Sequence, residues 1–127
     1  MNERERLIHR RDVRARFKLG TPLNAVRINA NNTVQHEMWK FLVCYSLARA
    51  GKEFMTECQF SNGRADIVNV SDAEIVEVLK TETEKELFEK AFRYPLPIRY
   101  IRADQPCRVL TIDQLNELPY LEVKNRG

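Results

Sequence analysis

Residues 63–80 read GRADIVNVSDAEIVEVLK, and this stretch decides the fold. It contains two short runs rich in β-branched residues, separated by a Ser-Asp-Ala turn at residues 71–73. Runs of this kind, bounded by turn-forming residues, are typical of paired β-strands. Each run also carries one acid, Asp66 or Glu77, on a strand side whose other residues are apolar. Packing does not explain these acids, because an unpaired buried carboxylate is destabilising.

A further strand precedes this pair. Residues 53–60 alternate between apolar and polar side chains, which is the period of a strand with one buried face. Asn62-Gly63 follows, and Asn-Gly between two strand-like runs is a strong local signal for a tight antiparallel turn. The three runs therefore predict a three-stranded antiparallel meander.

A helix is expected before the meander, from about Val34 to Ala50. Turn and cap residues at 31–33 precede it, and Gly51 supplies a C-terminal stop. Lys40 is expected to reach solvent. The face predicted to pack on the sheet consists of Val34, Met38, Phe41, Leu42, Tyr45 and Ala48.

A second helix and a fourth strand are expected after the meander. Thr83 and Glu86 match a capping box, and the helix should end before Pro95. Its predicted buried side consists of Leu87, Phe88, Ala91 and Phe92. Residues 96–102 then resemble a strand, and a strand-helix-strand connection of this length normally forms a right-handed crossover to a parallel neighbour.

The remaining chain predicts a short strand over residues 107–110 and a last helix, capped by Thr111 with Gln114 and ending near Leu118. The complete pattern predicts an α/β domain with a mixed central sheet. In it, a three-stranded antiparallel meander is followed by a crossover helix and a further strand, in the order αβββαβ.

Composition favours one globular domain inside the cell. The chain has 127 residues, of which 43% are hydrophobic and 31% charged, and this length can bury a core without disulfides. No apolar run approaches the roughly 20 residues of a membrane span, and the N-terminus lacks the apolar segment of a secretory signal. Cys44, Cys58 and Cys107 form no CxxC pair, so we expect buried free thiols and no zinc site.

Positive charge is concentrated in residues 1–20. This segment has a net charge of +4, whereas the whole chain has a net charge of +3. We therefore predict a basic N-terminal arm over 1–20 and a folded domain over 21–127. Basic arms commonly bind polyanions, because neutralising phosphates releases condensed counterions. On composition alone a solvated or partly disordered tail is equally compatible. The candidate phosphate-binding residues of the arm are Arg10, Arg11, Arg14, Arg16 and Lys18.

The two acids of the meander could share a metal ion. If the turn spans Val70 to Ala73, Asp66 lies directly opposite Glu77, with β-carbons on the order of 5 Å apart. A three-residue turn would place Asp66 opposite Val78 instead. Neighbouring carboxylates repel each other, so a cation is their natural counter-ion. All-oxygen ligands favour Mg²⁺ or Mn²⁺, and water bound to such an ion is a potential nucleophile for phosphodiester hydrolysis.

These features resemble the PD-(D/E)XK nuclease superfamily, most closely the small endonucleases similar to archaeal Holliday-junction resolvases. The resemblance rests on residues 63–67 (GRADI) and 75–80 (IVEVLK), and on Glu37 in the preceding helix. It implies that Asp66 and Glu77 ligate Mg²⁺ or Mn²⁺, that Glu37 does so directly or through water, and that Lys80 is the motif lysine. It also implies metal-dependent DNA cleavage, often by a homodimer.

The chain departs from the family pattern at the lysine. The motif places it two residues after the acid, but Leu79 stands there and Lys80 follows. Either a bulge re-aims Lys80, or Lys85 or an arm residue takes the role, or the site is weak or inactive. His36 and Arg64 are further candidates for contact with DNA, although a lone helix histidine is more often a surface residue.

Two other functions stay open. One is a non-catalytic nucleic-acid-binding module on the same fold. The other is a protein-interaction or assembly domain in which the acids are structural. Cleavage that needs both hairpin acids would favour the endonuclease, and DNA retention without cleavage would favour the binding module.

Overall fold

Helices flank a five-stranded sheet in the computed structural model, which describes residues 1–121. The elements follow one another as α1 (Glu3–Arg14), α2 (Val34–Arg49), β1 (Phe54–Phe60), β2 (Gly63–Asn69), β3 (Glu74–Leu79), α3 (Glu84–Ala91), β4 (Ile98–Arg102), α4 (Ile112–Asn116) and β5 (Tyr120–Leu121). No helix in this part of the chain is long and apolar enough to cross a membrane.

The sheet has the order β1-β2-β3-β4-β5. The first three strands are antiparallel neighbours, β3 and β4 are parallel, and β5 pairs antiparallel with β4. Helix α3 makes the connection between the two parallel strands. The predicted mixed sheet, with its meander and crossover helix, is therefore confirmed.

Each face of the sheet carries its own hydrophobic core. Helix α1 contributes Val13 to one core and α3 contributes Leu87 and Ala91, all packed with residues of the strands. The other core lies under α2 and α4 and includes Trp39 and Leu115. Side chains along β3 point alternately to the two faces of the sheet and pack in both cores. This central strand is therefore buried along its whole length.

Helix α2 buries a different face from the predicted one. Val34 is 76% exposed, and Met38, Phe41 and Tyr45 are also exposed. The face against the sheet consists of His36, Trp39, Lys40, Val43, Cys44, Ser46 and Leu47. Apolar residues occur on nearly all sides of this helix, so their periodicity does not select one face. Polar partners of the buried side chains determine which face of α2 packs on the sheet. For example, the indole of Trp39 donates to Gln105 O at 3.1 Å.

The predicted basic arm contains a helix that packs on the domain. In α1, the Asn2 side chain caps the first turn by accepting from Glu5 N at 2.8 Å. Val13 is buried, and His9 Nε2 lies 2.8 Å from Val70 O. Residues 3–14 therefore belong to the folded structure.

The segment after α1 runs along the outer edge of β1. Lys18 N donates to Gln59 O at 2.7 Å, Thr21 N to Thr56 O at 3.2 Å and Asn24 N to Phe54 O at 2.7 Å. These bonds occupy backbone groups that an open edge strand would leave available for pairing with other chains.

Two smaller expectations were wrong. Residues 107–110 form no strand; Leu110 O instead accepts from Ser46 Oγ at 2.6 Å. In α3, Phe88 and Phe92 are exposed and contact each other edge to face, with centroids 5.7 Å apart. A helix of eight residues lying on one sheet face buries only a narrow stripe, and here Leu87 and Ala91 fill it.

The predicted start of α4 is confirmed, with Thr111 and Gln114 forming a capping box. All three cysteines are free, as expected, but Cys107 is only partly buried. Cys44 and Cys58 are buried, and desolvation raises the pKa of each thiol to about 12. Such thiols stay protonated and unreactive near neutral pH.

Candidate active site

Asp66 and Glu77 lie on neighbouring strands at opposing positions. The β2–β3 register pairs Asn69 with Glu74 and Ile67 with Val76, and one further step along it sets Asp66 opposite Glu77. This confirms the register expected for a turn spanning Val70 to Ala73. At this position the Asp66 side chain interacts with β3 directly, since Val78 N donates to its Oδ2 at 2.9 Å.

Glu77 is a buried acid with an unsatisfied oxygen. Its Oε1 is shielded from solvent and has no hydrogen-bond partner among the described residues. Burial first, and then the charge of Asp66, raises the pKa of Glu77 well above its ordinary value. Tyr94 hydrogen-bonds the Glu77 side chain, and burial together with the nearby acids also raises the pKa of that phenol. Without a cation, burial and the neighbouring Asp66 therefore favour the protonated form of Glu77.

His36 lies between Asp66 of β2 and Glu37 of α2. Its Nδ1 is 2.7 Å from Glu37 Oε2, and its Nε2 is 3.4 Å from Asp66 Oδ2. Burial lowers the pKa of His36, but its contacts with Asp66 and Glu37 outweigh burial and raise it. Burial opposes ionisation of Asp66, yet hydrogen bonds from His36, Glu77 and Val78 N lower its pKa overall. His36 and Asp66 thus favour the charged form of each other.

The Glu37 carboxylate is fully engaged by donors. Oε1 accepts from Asn29 N at 2.7 Å and lies 2.6 Å from Lys40 Nζ. Oε2 accepts from Asn32 Nδ2 at 3.1 Å and contacts His36. Burial raises the pKa of Glu37, but these donors outweigh it and lower the pKa. Glu37 therefore reaches Asp66 through His36, and direct ligation of a metal would require it to exchange some of these donors.

The prediction that Lys40 reaches solvent is wrong. The lysine is fully buried, with Nζ 2.6 Å from Arg27 O and 3.3 Å from Glu57 Oε2, in addition to its contact with Glu37. The three-residue spacing from Glu37 on one helix was the available signal, because i,i+3 side chains are neighbours. The second partner, on β1, could not be identified from that spacing.

Glu57 adopts an unusual backbone conformation. Its φ is +49°, in the left-handed region that residues with a side chain rarely adopt. The ladder pairs Thr56 with Ile67 and Cys58 with Ala65, which leaves Glu57 opposite Asp66. Glu57, Asp66 and Glu77 consequently stand in one row across three strands. The turn at Glu57 directs its carboxylate to Lys40, Asn29 and Arg64.

The motif lysine is not re-aimed by a bulge within β3. The β3–β4 ladder is regular from Ile75 opposite Ile98 to Leu79 opposite Arg102. Alternation therefore directs Lys80, which follows the strand, to the face opposite Glu77. Lys85 lies on the exposed surface of α3. Lys40, which was not a candidate for this role, is connected to Asp66 through Glu37 and His36.

The residues predicted to bind phosphate are distributed unevenly. Arg10 forms an ion pair with Glu53, and Arg64 lies 3.4 Å from Glu57. His36 is only 3% exposed, so the structure places it inside the site and away from a surface that DNA could contact. Five of the predicted cations are solvent-exposed, namely Arg11, Arg14, Arg16, Lys18 and Arg64.

The acid pair fits a hard divalent cation. Within the described residues there is no preformed group of three His, Cys, Asp or Glu side chains arranged to hold a metal. Mg²⁺ nevertheless binds commonly through one or two carboxylates, with water and substrate phosphate completing its coordination. The pKa of Asp66 is lowered, and among the described residues Glu77 has a buried oxygen without a partner, so a cation between the two carboxyl groups would be a counter-ion for both acids.

We expect Glu77→Gln to stabilise the metal-free protein at pH 7. An acid with a raised folded-state pKa loses stability as pH rises from the unfolded-state value, about 4.3, through the folded-state value. Glutamine imitates the protonated acid, so the melting temperature should rise by about 3 °C or more at pH 7. The gain should vanish near pH 4. Thermal unfolding in EDTA at both pH values measures this.

Exposed Glu89 provides the matched control, since Glu89→Gln makes the same substitution outside the site. Its melting temperature should stay within about 1 °C of the native value. An equal decrease in melting temperature at both pH values would refute the raised pKa of Glu77. It would show that a partner stabilises the Glu77 carboxyl group in the folded protein.

No protein-family model, curated protein or solved structure matches this chain.

Proposed function

We propose that this chain is a divalent-metal-dependent endonuclease of the PD-(D/E)XK type that hydrolyses DNA phosphodiesters inside the cell, with branched or junction DNA among its candidate substrates. The observation that carries the proposal is the opposition of Asp66 and Glu77, with a buried Glu77 oxygen that lacks a partner among the described residues. Such an acid pair provides the oxygen ligands that Mg²⁺ or Mn²⁺ requires.

Each residue of the site has a role in this proposal. Asp66 and Glu77 would hold the metal, and Glu77 would lose its proton as the metal binds. A divalent ion bound there supplies Lewis acidity and lowers the pKa of a coordinated water. His36 orients Asp66 and keeps it ionised, and Glu37 orients His36 in turn. Lys40 fixes Glu37 from the interior.

DNA binding is assigned to the exposed cations of α1 and the segment after it. Arg11 and Arg14 are three residues apart and therefore lie on the same side of the helix. Lys18 continues the positive charge beyond the helix. Contacts of this kind hold the phosphate backbone without reading its sequence. The resemblance adds a homodimer to the proposal, because nucleases of this superfamily often act as homodimers.

Gel retention followed by metal addition tests the proposal. The chain should retain duplex or branched DNA in EDTA, weaken steeply with added salt, and cleave the DNA when Mg²⁺ is supplied. Arg11→Glu should weaken retention several-fold and reduce the slope of log affinity against log salt by about 1. Arg108→Glu, which makes the same charge change at an exposed position beyond β4, should leave retention unchanged.

One observation favours the non-catalytic alternative, namely the direction of Lys80. The regular β3–β4 ladder leaves the face of Glu77 without the motif lysine. Retention of DNA with no cleavage in Mg²⁺ or Mn²⁺ would establish that alternative. Absence of retention even at low salt would exclude both nucleic-acid functions.

A further inference from the structure

An unpartnered apolar surface lies on the side of α2 that faces away from the sheet. We call it the outer face of α2, and it consists of Val26, Ile28, Val34, Met38, Phe41 and Tyr45. All six side chains are more than one-third exposed. Most of them line a groove of about 720 Å³ between the helix and the segment that precedes it. Large apolar groups concentrated in this way mark an interaction site.

The spacing of the helical members identifies the kind of partner. Val34, Met38, Phe41 and Tyr45 are separated by four, three and four residues. This is the repeat by which one helix packs along another, with successive side chains entering holes on the facing helix. Phe41 and Tyr45 are already stacked, with ring centroids 6.2 Å apart. The outer face is therefore shaped to receive an α-helix.

The acid next to the stripe is paired within the chain. Glu37 faces Lys40 and His36, and its side chain is mostly buried. Arg49 lies over the Tyr45 ring at 5.8 Å and is exposed. A second helix could thus cover the stripe without burying Glu37 as an unpaired charge, which would oppose association.

We propose that two copies of this chain associate through this surface, with α2 packed antiparallel against α2 of the second copy. The inference rests on the homodimer of the proposed function and names its interface. An isologous contact requires one patch to complement itself. Antiparallel pairing sets Val34 against the partner subunit's Tyr45 and Met38 against the partner subunit's Phe41. Each layer then joins an aliphatic side chain to an aromatic ring, and thioether-aromatic contacts are favourable.

The size of the surface agrees with a dimer. An aromatic side chain buries roughly 150–250 Å², and on that scale the exposed parts of the six residues amount to roughly 600 Å². Two copies would bury about 1,200 Å², which is at the lower limit for stable protein interfaces. We therefore expect a dimer with an affinity in the micromolar range and helix-on-helix geometry.

Sedimentation or light scattering at concentrations of 1–100 μM, on the order of that affinity, tests the interface. The native chain should approach twice the 15.0 kDa of the monomer. Phe41→Glu should raise the dissociation constant at least about 100-fold, because it buries two like charges in the central layers. Phe88→Glu is a matched control, since Phe88 on α3 is 55% exposed and Phe41 is 54% exposed. It should leave the dimer intact.

Each outcome decides the inference. A native chain that stays at 15.0 kDa over this range overturns it, as does a dimer that Phe88→Glu dissociates and Phe41→Glu does not. Circular dichroism confirms that both variants fold. Cleavage is scored separately, so a monomeric nuclease refutes the interface alone, whereas a dimer without cleavage refutes the proposed activity alone.

Discussion

Asp66→Asn should reduce Mg²⁺-dependent DNA cleavage at least about 1,000-fold while leaving the fold intact. A bound metal contributes several kcal/mol of transition-state stabilisation, and each 1.36 kcal/mol corresponds to a factor of about ten in rate. Asparagine retains an oxygen that can accept from Val78 N, as Oδ2 of Asp66 does at 2.9 Å. It lacks the negative charge that would attract the cation and that raises the pKa of His36.

A plasmid-nicking assay at saturating DNA measures this loss. Asp104→Asn removes the same charge from an exposed position and should cleave at the native rate. DNA retention in EDTA should match that of the native chain, because Asp66 lies apart from the exposed cations of α1 in this proposal. A variant that keeps more than a tenth of the native rate would remove Asp66 from the metal site.

Lys40→Met should destabilise the protein by about 3–5 kcal/mol, because it leaves buried carboxylates without their counter-ion. The lysine is fully buried between Glu37 and Glu57, and methionine has a similar length without the charge. Urea unfolding at pH 7 gives the magnitude. Lys52→Met removes a half-exposed lysine paired with Asp72 and should cost less than about 1 kcal/mol.

The pH dependence of this loss has a definite sign. The pKa of Glu37 is lowered in the folded state: burial raises it, but Asn29, Lys40, His36 and Asn32 outweigh burial. A lowered carboxyl pKa stabilises the fold above the unfolded value and loses this contribution as pH falls through the folded value. The difference between Lys40→Met and the native chain should therefore shrink toward pH 3. Adding Glu57→Gln to the variant should recover part of the stability at pH 7.

A loss below about 1 kcal/mol at pH 7 would contradict this account of Lys40, since it would show that water or a rearranged loop replaces the ammonium group. An equal loss at pH 3 and pH 7 would indicate a packing defect and not an uncompensated charge.

The meander could be predicted from the sequence because its signals are local. The Asn62-Gly63 turn and the β-branched runs on either side of residues 71–73 specify antiparallel neighbours, and the turn length sets Asp66 opposite Glu77. The crossover to β4 followed from the length of the connection. Strand β5 has two residues and depends on pairing with β4, so it gave no periodic signal.

The buried face of α2 could not be predicted because the decisive partners are distant in sequence. Apolar side chains lie on both sides of the helix. Lys40 is placed inside by Glu57, 17 residues away, and by Arg27 O. Neither partner changes the periodicity of the helix. The turned backbone at Glu57, with φ +49°, is likewise a tertiary effect, since Ala65 and Ile67, two residues apart on the paired strand β2, lie in different hydrophobic cores.

Only part of the candidate site could be predicted, because some of its contacts also depend on residues that are distant in sequence. Asp66 and Glu77 stand out as single acids in apolar runs, and the structure brings them together. His36 looked like a surface residue, but its contacts with Glu37 and Asp66 depend on how α2 is oriented over the sheet. The direction of the Lys80 side chain depends on strand alternation at the end of β3, and the sequence left several possibilities for it open.

Crystals of the native chain soaked in Mn²⁺, and measured at a wavelength where manganese scatters anomalously, test the central claim most directly. We predict an anomalous peak between Asp66 and Glu77, about 2.0–2.3 Å from at least one oxygen of each, that is absent in Glu77→Gln crystals treated identically. A soaked crystal with no peak between these two acids, or with a peak that persists in Glu77→Gln, would contradict the proposal that the opposed acids of β2 and β3 hold a divalent metal.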